Sequence, residues 1–74
     1  MARQNNIFKA ITQFLEDGYS NVNFRSALNG KQYWHGKIID TPFWIHRNFK
    51  MVDYETEYDE AFNEWNLIIY VTEI

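Results

Sequence analysis

The sequence predicts a small α+β fold in which residues 1–74 form a single domain. Apolar residues recur at a helical period near the N-terminus, alternate with polar residues through the middle, and form a short run near the end. The predicted order is an N-terminal helix, a three-stranded antiparallel meander, a second, acidic helix and a final strand. The chain has no cysteine, and 19% of its residues are aromatic, so aromatic and aliphatic packing must supply the core.

Residues 4–17 are predicted to form an amphipathic helix. Its apolar side chains fall on one stripe: Ile7, Ile11, Phe14 and Leu15. Gly18 follows where a left-handed C-terminal cap is favoured, and Asn5 or Asn6 is suited to cap the start. We expect the apolar stripe to pack on a sheet.

Residues 20–50 are predicted to form the antiparallel meander, because apolar and polar residues alternate there. The second strand is expected at about 32–40 and the third at about 43–50. Thr41 and Pro42 would join them. Proline fits the second position of a tight turn poorly, so this turn should be longer or contain a cis peptide bond.

The register of the first hairpin follows from its hydrophobic pattern. Asn29-Gly30 is a strong hairpin signal, and a three-residue loop, Asn29–Lys31, pairs Leu28 with Gln32. A shorter loop would place the apolar residues of the two strands on opposite faces, so we expect the longer one. The face beneath the first helix then carries Val22, Phe24, Leu28, Trp34, Ile38, Phe43, Ile45 and Phe49. The opposite face carries Asn23, Arg25, Tyr33, His35, Lys37, Ile39, Trp44, His46, Asn48 and Lys50.

Residues 53–66 fit two kinds of secondary structure. Five residues fall on a helical stripe: Tyr54, Tyr58, Ala61, Phe62 and Trp65. Within residues 52–59, acidic side chains also alternate strictly with non-acidic ones, as in a strand with two different faces. The helical spacing continues beyond Asp59, so we predict an acidic helix, at least from Asp59 to Trp65, with Asp53 as its N-cap if the helix also includes residues 53–59. Residues 67–73 should form the final strand, inside the sheet because it is apolar on both faces at its start.

Charge is unevenly distributed along the chain, whose net charge is −3. All 7 lysines and arginines lie in residues 1–50, whereas residues 51–74 carry seven acidic residues and no base. Such acids usually form a solvated helix face. The alternative interpretation is a docking surface for a basic site on another protein, since groups that hold phosphates also attract carboxylates. The residues of this candidate partner-binding segment are Asp53, Tyr54, Glu55, Glu57, Tyr58, Asp59, Glu60 and Glu64.

The polar face of the meander offers an alternative site. Cations beside flat aromatic side chains are typical of surfaces that bind single-stranded nucleic acid, where bases stack on the rings. The residues of this alternative site are Arg25, Tyr33, His35, Lys37, Trp44, His46 and Arg47. The acidic net charge and the absence of RNA-recognition signatures argue against it. The same residues also fit a protein-binding face, or a second core beneath the acidic helix.

We expect neither catalysis nor a bound metal or cofactor. His35 and His46 are predicted to be near-neighbours across two strands, but two histidines without a third ligand do not make a closed zinc site. The sequence has no nucleophile beside a base at motif spacing and no glycine-rich phosphate loop. A domain of this size also has little room for a water-excluding pocket.

The predicted function is that of a non-enzymatic interaction module that inhibits or bridges a larger protein or nucleoprotein complex. The small size and the acidic, aromatic segment favour a virus- or phage-encoded antagonist of a host nucleic-acid-handling defence system. We expect a cytoplasmic protein, because there is no signal peptide and the longest apolar run, residues 67–71, is too short to cross a membrane. Nucleic acid is the alternative partner, and exposed aromatics beside a sheet edge leave room for a homodimer.

Overall fold

A computed structural model describes residues 6–74 of the chain. The predicted helix residues before Asn6, the candidate cap residue Asn5 and the side chain of Asn6 lie outside what the structure describes. The helices are α1 (Asn6–Glu16) and α2 (Phe43–Asn48), with a short 3-10 turn at Ile38–Asp40. The strands are β1 (Asn21–Ser26), β2 (Gln32–Lys37), β3 (Phe49–Asp59) and β4 (Glu64–Glu73).

The end of α1 confirms the predicted glycine cap. Gly18 has a φ of 100°, a left-handed conformation that glycine adopts without steric cost. Its N–H donates to the Leu15 carbonyl, and the Tyr19 N–H donates to the Phe14 carbonyl, both at 3.1 Å. These two bonds satisfy carbonyls that the helix end would otherwise leave unpaired. No helix within residues 6–74 is long and apolar enough to cross a membrane.

The four strands form one mixed sheet in the order β2-β1-β4-β3. The β1–β2 and β3–β4 pairs are antiparallel, and β1 runs parallel to β4. Strand β4 therefore lies inside the sheet, as its apolar residues on both faces predicted. Strands β2 and β3 are the two edges, so residues 53–59 of β3 have a neighbouring strand only on the β4 side within the described chain.

One hydrophobic core lies between the helices and one face of the sheet. Its buried members are Ile7, Ile11, Val22, Phe24, Ile38, Ile45, Phe49, Leu67, Ile69 and Val71. The helices contribute Ile7, Ile11 and Ile45, and the 3-10 turn contributes Ile38. The sheet contributes alternate residues of β1 and β4 together with Phe49 of β3. Both helices therefore pack on the same face. Among the described residues, no helix covers the opposite face, which we call the open face.

The predicted third strand of the meander, residues 43–50, is wrong for most of its length, because those residues form α2. Pro42 precedes α2 with φ −65° and ψ 149°, and its missing N–H makes it a poor member of a strand ladder. Ile38 and Ile45 reach the core as predicted. Phe43, predicted to join them, is 70% exposed instead.

The predicted acidic helix at residues 53–66 is also wrong. Its first half continues β3, and its last residues begin β4. The alternation of residues 52–59 decides the outcome, because a strand places all the acids on one side, whereas a helix would scatter them around its circumference. Strand β4 supplies the partner, with Glu55 opposite Ile68 and Glu57 opposite Asn66.

The connection between β3 and β4 is a tight turn over residues 60–63. One Asp59 carboxylate oxygen accepts the Ala61 N–H at 3.0 Å and the Phe62 N–H at 3.4 Å. Asn63 takes a left-handed conformation with φ 53°, which asparagine tolerates better than most residues. The Asp59 hydrogen bonds and the left-handed Asn63 therefore reverse the chain at a point where the predicted helix would have continued.

The β1–β2 hairpin has a longer loop than the predicted Asn29–Lys31. The Ser26 N–H donates to the Lys31 carbonyl at 2.8 Å, which leaves four residues in the loop. Leu28 lies there with 91% of its surface exposed, so its predicted core position is wrong. Phe24 nevertheless faces Trp34 across the pair, because the register shifts between Phe24 and Arg25. This bulge keeps the apolar residues of both strands on the core face.

Candidate functional site on the acidic sheet edge

The register of the sheet defines the side chains of the open face. Residues directly paired across strands share a face, and alternate residues along a strand stay on it. By this rule the inner strands contribute Asn21, Asn23, Arg25, Glu64, Asn66, Ile68, Tyr70 and Thr72. The edge strands contribute Gln32, His35, Lys37, Lys50, Asp53, Glu55, Glu57 and Asp59.

Four carboxylates form a single row along the edge strand β3. We call Asp53, Glu55, Glu57 and Asp59 the acidic row. Same-face residues of an antiparallel strand repeat about every 6.8 Å, so the row extends over about 20 Å. Glu64, opposite Asp59 on β4, continues the acidic surface, and Glu60 stands in the adjoining turn. The sequence named these residues as a candidate contact, and the structure brings the alternate ones into line.

Hydrogen bonds hold several of these carboxylates in place. The Tyr70 hydroxyl donates to Glu55 Oε1 at 3.0 Å, and Asn21 Nδ2 donates to Glu64 Oε1 at 2.9 Å. One Asp53 oxygen accepts the N–H of Tyr54 at 2.8 Å. The hydrogen bond to Glu55, together with desolvation and the neighbouring carboxylates, raises the pKa of Tyr70, and Arg25 opposes this effect. Tyr70 therefore stays a neutral donor at physiological pH.

The open face is electrostatically polarised. The acidic row follows β3 from Asp53 to Asp59, whereas Arg25 and Lys37 lie on β1 and β2 and Lys50 lies at the start of β3, before the row. Strands lie about 4.8 Å apart, so β1 and β3 are separated by about 10 Å. A shallow depression of about 450 Å³ lies between the two sides, lined by Arg25, Glu55 and Tyr70 among others. An approaching partner therefore meets negative charge first along the β3 edge.

The helix side of the β3–β4 hairpin is aromatic. Tyr54 packs against Phe14 of α1 with ring centroids 5.0 Å apart. Further along, Tyr58 packs against Trp65 at 5.2 Å, but α1 ends at Glu16 and Trp65 remains 51% exposed. The hairpin tip therefore presents uncovered rings on one side and carboxylates on the other. The predicted interleaving of acids and aromatics is real, but the two kinds of side chain face opposite ways.

The alternative nucleic-acid surface does not come together as predicted. Arg25, His35 and Lys37 lie on the open face, as expected. Tyr33 instead packs on Phe49 at the core side, with ring centroids 4.7 Å apart. Its remaining members, Trp44, His46 and Arg47, lie on helix α2 rather than on a strand. Among the described residues of the open face, Tyr70 is the only Phe, Tyr or Trp, and Glu55 holds its hydroxyl.

The two histidines do not lie on two paired strands, so their predicted positions as cross-strand neighbours are wrong. His35 is on β2, whereas His46 is on α2 and packs edge-on against Phe8 at 6.0 Å. Burial lowers the pKa of His46. Within residues 6–74, no three histidine, aspartate or glutamate side chains are grouped as metal ligands would be.

A groove that the sequence did not predict runs between α1 and α2. Its volume is about 960 Å³, and it is lined by Phe8, Thr12, Phe43 and His46 among others. The exposed rings of Phe8 and Phe43 were the available signal, but their proximity depends on the unpredicted helix α2. Comparison with protein families, curated proteins and solved structures gave no match to this chain.

Proposed function

We propose that this protein is a non-enzymatic interaction module that binds a basic surface of a larger protein through the acidic row. The alignment of four carboxylates along an exposed edge strand carries this proposal. Lys50, at the far end of β3, is the only lysine or arginine of the β3–β4 hairpin, and residues 51–74, which include the whole row, contain none. A row of this kind is therefore available to cations of a partner.

The chemistry of such a partner follows from the row. Lysine and arginine side chains that line a nucleic-acid groove are spaced for a series of anions, and regularly spaced carboxylates can take the place of phosphates. Long-range attraction also accelerates the encounter. The aromatic side of the hairpin adds Tyr58 and Trp65, residue types that often anchor interfaces.

Occupation of a nucleic-acid groove would make the protein an inhibitor. We extend the proposal to the setting that the sequence favours, a virus- or phage-encoded antagonist of a host nucleic-acid-handling defence system. The charge complementarity between the acidic row and a basic groove supports this extension. In that setting the protein competes directly with nucleic acid for the basic groove.

Single-stranded nucleic acid is the less favoured partner. The open face provides Arg25, His35 and Lys37, but its one large aromatic ring, Tyr70, is engaged with Glu55. The acidic row would also repel phosphates. Binding of nucleic acid is therefore a competing outcome of the test below.

The test combines capture with a titration. Immobilised protein is used to capture proteins from a candidate host lysate, with and without excess single-stranded DNA, and tryptophan fluorescence is titrated with DNA and RNA oligonucleotides. Glu55→Lys/Glu57→Lys is compared with Glu16→Lys/Glu73→Lys, which makes the same charge change at exposed positions outside the row.

We expect capture of basic nucleic-acid-binding proteins that DNA displaces. The row variant should weaken this binding by at least about tenfold, and the charge-matched control should not. Equal effects of both variants would reject the acidic row as the contact. Fluorescence quenching by oligonucleotides that weakens steeply with salt would replace the proposal with nucleic-acid binding.

A further inference from the structure

The outer edge of β3 at residues 53–59 has a definite set of outward-facing backbone groups. The Ile74 N–H donates to the Asn48 carbonyl at 3.0 Å, and the Ala27 N–H donates to the Val71 carbonyl at 2.9 Å. Backbone groups of successive residues point to opposite sides of a strand. The backbone N–H and C=O groups of the even-numbered residues of β4 therefore point to β3, and those of the odd-numbered residues point to β1.

The same alternation fixes the orientation of β3. Glu55 and Glu57 pair with the even-numbered Ile68 and Asn66, so their N–H and C=O groups point inward to β4. The N–H and C=O groups of Tyr54, Thr56 and Tyr58 then point outward. The Tyr54 N–H already donates to the Asp53 carboxylate. Thr56 and Tyr58 consequently present the exposed backbone donors of this edge.

The side chains of this edge discriminate between possible strands. Two copies paired about a twofold axis would place one acidic row against the other, and like charges directly opposite each other are destabilising. The edge thus disfavours a second copy of itself. An incoming strand with cations on the open face would meet opposite charge at each same-face pair.

We propose that β3 binds its partner by strand addition, with an extended segment of the partner protein pairing along residues 54–59. The segment carries lysine or arginine at alternate positions, facing the acidic row, and aliphatic or aromatic residues between them, facing Tyr54 and Tyr58. This inference rests on the proposed function, since it specifies how a basic partner engages the same row. Main-chain hydrogen bonds supply affinity in such complexes, and alternate side chains supply specificity.

The probe is a short synthetic peptide in which lysine alternates with valine, acetylated and amidated at its ends. One control peptide has the same composition with its lysines grouped. A second keeps the alternating sequence but carries N-methyl groups on the peptide nitrogens of one edge. N-methylation removes main-chain donors and leaves the charges unchanged, so it separates strand pairing from attraction between surfaces.

Two protein variants complement the peptides. Thr56→Pro removes an outward N–H while leaving the inward hydrogen bonds of Glu55 and Glu57 intact, and proline is tolerated at edge positions whose N–H faces solvent. Glu55→Lys/Glu57→Lys removes the charge complementarity. Circular dichroism and thermal unfolding report whether each variant keeps its fold, and the N-methylated peptide tests pairing on the unmodified protein in any case.

We expect the alternating peptide to bind, and amide exchange at Thr56 and Tyr58 to slow by at least about tenfold. Thr56→Pro, N-methylation and grouped lysines should each weaken binding by at least about tenfold. Equal binding of the alternating and N-methylated peptides, with binding still lost in the Glu55→Lys/Glu57→Lys variant, would overturn strand addition but leave the docking function standing. Failure of the alternating peptide to bind would overturn strand addition, and partner capture that survives Glu55→Lys/Glu57→Lys would overturn the docking function as well.

Discussion

The indole of Trp34 lies directly over Gly36, two residues along β2. A Cβ atom built on Gly36 would stand 2.9 Å from Trp34 Cη2 and 3.0 Å from Cζ2. Across the strand pair, Trp34 faces Phe24, with ring centroids 6.3 Å apart. The bare backbone of Gly36 thus provides the space that lets the indole cover the β2 edge of the core.

Gly36→Ala is therefore expected to displace Trp34 and to reduce the free energy of unfolding by about 1–2 kcal/mol, as overpacking commonly does. Denaturant unfolding followed by tryptophan fluorescence measures both effects. The same substitution in a Trp34→Leu background serves as the control, since the ring that would clash is absent. An equal loss of stability in both backgrounds would show that the contact with Trp34 is not the cause.

Ile45 is the residue through which α2 is attached to the core, because its side chain is fully buried while its neighbours Trp44 and Arg47 are exposed. Ile45→Ala should reduce the free energy of unfolding by about 2–5 kcal/mol, through lost burial and the cavity it leaves. Leu28→Ala, in the exposed loop, should change it by no more than about 0.5 kcal/mol. Similar effects of the two variants in denaturant unfolding would contradict the burial of Ile45.

The hydrogen bond from Tyr70 to Glu55 predicts a loss of stability at alkaline pH. The pKa of Tyr70 is raised in the folded state, so its contribution is complete below the unfolded pKa of about 10 and is lost as the pH rises through the folded pKa. Tyr70→Phe should show a smaller decline in thermal midpoint over that range. Absorbance titration of the phenolate should likewise lose the Tyr70 component in Tyr70→Phe and shift that component to lower pH in Glu55→Gln. An unchanged titration curve in both variants would rule out the interaction.

His46 predicts a dependence of stability on mildly acidic pH. Burial lowers its pKa in the folded state, so the unfolded chain takes up this proton more readily. Its contribution is present above the unfolded pKa of about 6.5 and is lost as the pH falls through the folded pKa. His46→Gln should flatten the decline in unfolding free energy between about pH 7.5 and about pH 5. Histidine NMR titration measures the pKa directly, and a value at or above that of a model peptide would contradict the prediction.

The sequence predicted those elements whose local signals agree with their packing. The apolar stripe and Gly18 specified α1 and its end, and the apolar run at 67–71 specified an inner strand. Val22 and Phe24 were assigned to the correct face. In each case a single periodicity dominates a window long enough to be read, and burial then reinforces the same choice.

The sequence also identified the acidic segment as a candidate contact, because the clustering of acids along the chain is the same whether the segment is a helix or a strand. It could not predict that alternate acids form one row on an edge strand. The spacing of Tyr58, Phe62 and Trp65 is compatible with a helix, whereas residues 52–59 alternate as a strand. The Asp59 turn and the pairing with β4 decide between them.

The sequence by itself determined the fold class, the first helix, the inner strand β4 and the location of the negative charge. Only the tertiary structure decided that residues 43–48 are helical, that β1 lies beside β4, and that β3 is an edge whose carboxylates share one face. These outcomes depend on pairing between segments distant in the chain, such as Val22 with Leu67. Short segments with mixed periodicity are marginal alone, so burial and long-range hydrogen bonding select their conformation.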